Sequence, residues 1–355
     1  LLMEMGTGKT LTTIAVAGRL YLNRKINKML IVAPLSILGV WQEEFQKFAD
    51  FLYSLVVLNG TSSRKSENLR QIPTNGLQVA VINYESAWRL EDELADWGAD
   101  LIVCDEGHKI KTHNIAASKC MHRLGARAQY RMLLTGTIIT NETIDVFSPY
   151  KFLNPAVFGN SFYAFRNRYF DMTGYGLHVP VMKMGMAKEL TRRIHSIAFR
   201  ATKVECLDLP ETTEIIRTVG LEATAQSMYW ELVRDSFISL KDGEVTAANV
   251  LTRLLRLSQL TGGFLRDDGA DRHIQVNSAK LTALADIVDS AAQDGKKLVI
   301  IARFLPEIAA ITRMLEKKAI GYSLISGEIR DRDEQVRRFQ TDPDVTVFVG
   351  QIATA

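Results

Sequence analysis

Only three cysteines occur in 355 residues, and Cys104, Cys120 and Cys206 are too scattered for a disulfide framework or a zinc site. So few thiols, none in a pattern, lead us to expect a reducing, intracellular and cytoplasmic setting. No apolar run approaches the ~20 residues that span a bilayer, and no signal peptide is visible, so no membrane partner is expected. His108 and His113 stand five residues apart, not the four that put two metal ligands on one helical face. Internal repeats and low-complexity tracts are lacking too. Charge of one sign is also scarce: 43 Lys and Arg against 40 Asp and Glu leave a net +3, which permits a nucleic-acid partner without arguing for one. Basic residues cluster only locally, at Arg192-Arg193, Arg253 to Arg256 and Arg337-Arg338, where solvated helix faces explain them equally well.

What is present describes a globular α/β chain of two to three domains, with 47% hydrophobic and 23% charged residues. Short runs that are apolar throughout predict strands buried on both faces of a parallel sheet: 29–33, 79–82, 101–104 and 131–134. Helices are predicted over 10–22 and 41–48. A second set of strand runs follows at 298–302, 322–326 and 345–349, separated by helical patterns over 279–294 and 307–318. Between the sets, residues 150 to 270 read as mostly helical and rich in aromatic and basic side chains. Phe158-Gly159-Asn160 and Gly174-Tyr175-Gly176 look like loops, Leu209-Pro210-Glu211 like an extended linker, and Gly262-Gly263 ends a helix that begins near Ala223.

Two motifs carry chemistry. Met5-Gly6-Thr7-Gly8-Lys9-Thr10 is a phosphate-cradling loop: its glycines let backbone N–H groups close around phosphate oxygens, Lys9 supplies a point charge, and Thr10 offers a hydroxyl to magnesium. Asp105-Glu106-Gly107-His108 directly follows the run Leu101-Ile102-Val103-Cys104. Acidic residues at a strand end are what a magnesium nucleotide needs opposite such a loop, Asp105 to hold the metal through water and Glu106 to orient or activate the attacking water. ATP and magnesium are the implied ligands. The bland alternative for the acidic pair is a helix N-terminus enriched in acids; for His108, read as a catalytic candidate, it is a satisfied polar residue in a turn.

Asp105 to Lys111, reading Asp-Glu-Gly-His-Lys-Ile-Lys, resembles the second motif of superfamily 2 helicases in the version typical of Swi/Snf-type DNA translocases, with Gly107 as a small substitute for the usual alanine. Leu134 to Asn141 resembles the third motif, departing at Ile138 (usually proline) and Thr140 (usually glutamine). Ile31 to Ser36 with Trp41, Glu44 and Phe45 is similar to motif Ia, and Asn83-Tyr84-Glu85 sits where a threonine-tyrosine-glutamate stretch is common. Phe199 to Lys203 and Asp208 to Pro210 resemble the segment joining two lobes; Ala279-Lys280-Leu281, Ile325 to Gly327, Arg337 to Phe339 and 348–355 follow the order of the second.

The resemblance implies two RecA-like parallel-sheet lobes of the P-loop NTPase class, with a helical insertion between their cores, ATP in the cleft and double-stranded DNA as partner. It divides the chain into a first lobe over 1–150, a helical protrusion over 151–205, a linker over 206–220, a second protrusion over 221–270 and a second lobe over 271–355. It gives Thr135, Gly136, Thr137 and Asn141 the coupling of nucleotide state to DNA, and places Pro34, Leu35, Ser36, Tyr84 and Lys111 near the DNA backbone. It implies a monomeric motor, with other proteins met through flanking domains, and an arginine for the γ-phosphate beyond residue 355. On that reading the chain starts within its first lobe, and residues 1–355 alone should turn ATP over poorly. Short connections favour a bacterial or phage source. Phe162, Tyr163, Phe165, Tyr169, Arg253 and Arg256 are expected to pack on the protein rather than face DNA. A strand-separating superfamily 2 helicase of DNA or RNA, and a nucleotide-gated DNA-binding scaffold without sustained turnover, are the alternatives.

Overall fold

The computed structural model describes residues 1–136, 142–174, 179–210, 212–235, 237–240, 243–246, 250–267, 272–329 and 331–352. The chain forms two compact units, Leu1–Glu211 and Thr212–Ala355.

In the first unit the chain runs β1 (Leu2–Met3), α1 (Lys9–Leu22), β2 (Lys28–Ala33), α2 (Leu38–Phe48), β3 (Tyr53–Val57), α3 (Ser62–Arg70), β4 (Leu77–Asn83), α4 (Tyr84–Ala87), α5 (Glu91–Trp97), β5 (Leu101–Asp105), α6 (Ala116–Arg127) and β6 (Tyr130–Leu134). Strands β3-β4-β2-β5-β6 pair in that order, all in parallel. Because side chains alternate across a strand, each apolar run feeds two cores. Leu30, Val32, Ala80, Ile82, Ile102 and Cys104 fill one face, and Met29, Ile31, Ala33, Val79, Val81, Leu101 and Val103 the other. A strand interior covered on both sides favours apolar residues, which is why β2, β4 and β5 carry the unbroken hydrophobic runs 29–33, 79–82 and 101–104; Gln78, buried near the start of β4, is satisfied by donating to the Ile72 carbonyl.

β1 lies beside the end of β6, through a parallel bridge from Leu2 to Thr135. On its other side it pairs with β9 (defined below), Leu2 opposite Arg200 and Met3 opposite Ala201. Parallel strands all point one way, so the carboxyl ends of β1, β2, β4, β5 and β6 meet at one edge of the sheet, where open α/β sheets bind ligands.

The rest of the unit is α7 (Phe147–Leu153), α8 (Pro155–Phe158), α9 (Phe162–Tyr169), β7 (Phe170–Thr173), β8 (Val179–Met182), α10 (Met186–His195), β9 (Arg200–Ala201) and α11 (Lys203–Cys206). Its core is aromatic: Phe147, Tyr150, Phe158, Phe165, Tyr169 and Phe170 pack with Leu190 and Ile194. Phe165 and Tyr169 therefore pack as expected, and Phe162 stacks on His113 with ring centroids 3.9 Å apart. Tyr163 remains exposed beneath the Arg166 guanidinium.

His122 faces this region from α6, with Nε2 2.9 Å from the Ser148 carbonyl oxygen, to which it donates in that tautomer. Burial pushes its pKa down to about 4, the Ser148 bond opposing and the charges of Lys151, His113 and Arg123 adding to the fall. The unfolded chain takes up this proton near pH 6.5. Between about pH 6.5 and 4 the unfolded state thus binds more protons, and stability falls as pH falls. Urea unfolding across that window should lose part of its pH slope in His122→Gln; an unchanged slope would show that His122 does not titrate this way.

The second unit holds α12 (Ala223–Asp235), β10 (Phe237–Leu240), β11 (Gly243–Thr246), α13 (Val250–Thr261), β12 (Phe264–Asp267), β13 (Arg272–Gln275), α14 (Ala279–Gln293), β14 (Leu298–Ala302), α15 (Leu305–Lys317), β15 (Gly321–Ile325), α16 (Arg332–Thr341) and β16 (Val345–Gln351). Strands β14-β16-β15 form a parallel sheet, whose core joins Ile300, Val347 and Val349 to Val288, Ile308, Ile311 and Leu315. The single helix expected from near Ala223 to Gly262 is instead two helices separated by the antiparallel pair β10–β11. The middle of the chain also contains the ribbons β7–β8 and β12–β13, so it is less helical than expected. Arg256 is buried, donating to Gln259 Oε1 at 3.2 Å, and Arg253 donates to the Val233 carbonyl at 3.3 Å. Among the described residues no helix is long and apolar enough to cross a membrane.

Candidate active site

β1 ends into a loop with Gly6 at φ +83° and Gly8 at φ +90°. Both values lie in the left-handed region that glycine enters without steric cost. Gly8 is the N-cap of α1, whose first turn carries no acidic residue. The open N–H groups and the positive end of the helix dipole suit an anion there. Lys9 Nζ donates to the Met3 carbonyl at 2.9 Å, so the ammonium lies folded back over its own loop. Thr7 closes the turn from inside, its hydroxyl donating to the Glu4 carbonyl at 2.7 Å. The Glu4 carboxylate accepts the Lys203 backbone N–H at 2.7 Å, tying α11 to the loop.

Asp105 ends β5 and is 7% exposed. Its Oδ1 accepts the Glu106 backbone N–H at 2.9 Å and its Oδ2 the Trp41 indole N–H at 3.1 Å. Burial pushes this carboxyl above its ordinary value; the Glu106 N–H pulls it back, the Glu106 charge raises it, and Trp41 and Lys9 lower it. A cation beside Asp105 would relieve the cost of keeping a buried carboxylate ionised.

Glu106 has φ 48° and ψ 56°, left-handed and not glycine, a conformation that costs about 1–2 kcal/mol. The turn aims its carboxylate at His108, with Oε2 3.2 Å from Nδ1. Gly107 has no room for a side chain: an added Cβ would come within 2.3 Å of Leu133 Cγ and Cδ2.

Met5, Gly6, Gly8, Lys9, Thr10, Trp41, Asp105 and Glu106 all line one cavity of about 400 Å³. The loop and the acidic pair, 95 residues apart in sequence, are thereby brought together. Thr10 and Asp105 offer that cavity the hard oxygen donors magnesium takes alongside phosphate and water. Among the described residues no cluster of three or more His, Cys, Asp or Glu forms a metal cage, and a nucleotide-borne magnesium does not require one.

The remaining expected residues fall around this cavity in different ways. Thr135 is buried, its backbone exchanging hydrogen bonds of 3.1 Å with Leu1 and Met3, and Gly136 lies near Met3 and Glu4. Thr137 and Asn141, with residues 138–140, lie outside the described residues, as do 175–176, 211 and 353–355 of the other sequence readings. Leu35 and Ser36 are exposed in a short turn after β2, beside half-buried Pro34. Lys111 pairs with Asp145 at 3.5 Å.

Tyr84 requires a correction. It is 3% exposed, and its hydroxyl donates to the Asp105 carbonyl at 2.7 Å; burial raises its pKa well above the ordinary value. It is a buried prop of the acidic turn, not a surface contact. The sequence reading also missed the bond from Trp41. The available signal was its place on the inward stripe Leu38, Trp41, Phe45 of α2, since a buried indole N–H needs a partner.

Residues 1–262 match the SNF2-related domain family. The chain is 24% identical over 361 residues to the chromodomain-helicase-DNA-binding protein 1-like of Danio rerio, covering 98% of this chain and 34% of that protein. It is 26% identical over 352 residues to the putative ATP-dependent helicase/translocase YwqA of Bacillus subtilis, covering 95% and 37%. It thus spans about a third of the length of such relatives. Among solved structures it resembles the SWI2/SNF2 ATPase core of Sulfolobus solfataricus in complex with dsDNA, with TM-score 0.50 and 26% identity over 98% of this chain and 72% of that one. The expected fold class, parallel α/β with RecA-like lobes, agrees with that core.

Proposed function

The chain belongs to the SNF2-related family of helicase-like ATPases, and from that premise we propose that it is the motor part of an ATP-driven translocase on double-stranded DNA. The observation that carries the proposal is the single cavity shared by the phosphate loop, Asp105 and Glu106.

In this reading the backbone N–H groups of Gly8 and of the first turn of α1 hold the β- and γ-phosphates, and Lys9 exchanges the Met3 carbonyl for a phosphate oxygen. Thr10 and Asp105 hold magnesium, which when bound neutralises charge on the phosphates. Glu106 accepts a proton from the water that attacks the γ-phosphorus, as the bond to the β–γ bridging oxygen breaks. His108 steadies the Glu106 carboxylate. Thr135 and Gly136, hydrogen-bonded to or packed beside the strand feeding the loop, pass its position on to the segment that follows them.

Leu35 and Ser36 are the exposed candidates for DNA contact, where backbone amides and hydroxyls bind phosphate without reading sequence. Lys111 would join them by giving up Asp145.

Phosphate release by the intact protein that carries this chain, measured with duplex DNA, single strands and RNA, tests the proposal. Duplex should stimulate most; equal stimulation by RNA, or none by duplex, would overturn it. Displacement of a labelled strand from a tailed duplex would instead support a strand-separating helicase.

A further inference from the structure

We propose that Trp41 is a positioning residue of this site, its indole N–H fixing the Asp105 carboxylate so that the remaining lone pairs face the phosphate-loop cavity. The inference rests on the reading of Asp105 as the carboxylate that holds magnesium.

The terminal torsion of an aspartate is broad and roughly two-fold, so the side chain alone does not choose an orientation. Here two donors choose it. The Glu106 backbone N–H takes Oδ1 and the Trp41 indole takes Oδ2. An ionised carboxylate has about four lone-pair sites, so each oxygen keeps capacity for a cation or its water.

Neither donor can turn away. One belongs to the backbone, and the other to a ring that is 1% exposed. That ring packs against Phe45 at 6.5 Å, and Phe45 against Tyr53 at 5.1 Å. An indole donates and never accepts, which makes the bond one-way: Trp41 favours the ionised, acceptor-only form of its partner.

Tyr84 completes the arrangement by fixing the Asp105 carbonyl. The residue is thus held at its backbone from α4 and at its side chain from α2. Each of these helices follows a strand of the same sheet, β4 and β2. Trp41 also lines the cavity itself, so its bond is formed at the wall where the nucleotide would sit. Partners that orient metal-binding groups in this way are typically worth 10–100-fold in metal affinity.

Trp41→Phe keeps a ring and removes the donor. Binding of a fluorescent ADP analogue is measured with magnesium and with EDTA. Magnesium-supported affinity should fall about tenfold more than affinity in EDTA, because the loop and Lys9 act without the metal and any change the smaller ring makes to the cavity wall counts equally in both measurements. A purely structural role would weaken both alike, and that result, or no change in magnesium, overturns the inference.

Asp105→Asn, measured the same way, separates the two levels. If it leaves the magnesium dependence intact, the reading of Asp105 fails and the Trp41 inference with it. If it abolishes the dependence and Trp41→Phe changes nothing, only the inference about Trp41 fails. Should Trp41→Phe not fold, ¹⁵N-tryptophan labelling of the parent gives four indole signals to follow. One should be protected from exchange and should move in Asp105→Asn; four unmoved signals would overturn the inference.

Discussion

In the intact protein, replacing Glu106 with glutamine is expected to lower ATP turnover by about 10²–10⁴-fold, the range a positioned general base contributes, while nucleotide affinity stays within about twofold. Glutamine fills the same space and hydrogen-bonds, but it does not take up a proton from water. The geometry makes the residue more than a second acidic group beside Asp105. Its backbone stands in the left-handed region at φ 48°, where a non-glycine residue persists only if its surroundings enforce it. Its carboxylate meets His108 at 3.2 Å. Phosphate release and equilibrium binding of the fluorescent ADP analogue, measured side by side, decide the matter. Unchanged turnover would remove Glu106 from the chemistry, and lost binding would recast it as part of the nucleotide pocket.

Gly107→Ala should cost about 1–3 kcal/mol, the range for overfilling a packed core. Glycine is needed here for space rather than for backbone freedom. The new methyl would lie 2.3 Å from Leu133 Cγ, and Leu133 is buried among the residues of one sheet face. In sequence Gly107 stands in for the alanine usual in the motif it resembles, yet Leu133 occupies the place such a methyl would need. Leu133→Ala alone should cost about 2–5 kcal/mol by leaving a cavity. The double variant should be more stable than the sum of the two losses predicts, by about 0.5–3 kcal/mol. Urea unfolding of the four proteins measures this coupling, and strict additivity would show that the two positions do not share one space.

How much was legible follows from where residues bury their surface. Strands β2, β4 and β5 were readable because both faces are covered, so the stretches 29–33, 79–82 and 101–104 within them are wholly apolar. The ribbons were not. In β13, Arg272, His273 and Gln275 are exposed and Ile274 is only half-buried, so no run appears. The β10–β11 pair was hidden because helical patterns on both sides of it ran together in sequence. β9 has two residues, Arg200 and Ala201, and takes its strand character from partners 198 positions earlier; no local pattern encodes that. At the site, the glycine loop and the acidic pair were legible because their chemistry is local. Which way Tyr84 and Trp41 point was not, because each finds its partner across the sheet.

The phosphate loop also sits at a mechanical junction. The two-residue strand that feeds it is hydrogen-bonded on one side to Thr135 and on the other to Phe199 and Ala201, and Glu4 then catches the Lys203 N–H. Parallel strands pulled along their length load their rungs in shear, so the bonds share the force instead of opening one by one. Residues 199–203 lead directly to the end of the first unit at Glu211. Tension on the chain leaving that unit would therefore reach the phosphate loop over two backbone rungs and one carboxylate, and a loop drawn tight around phosphate would pull back along the same line.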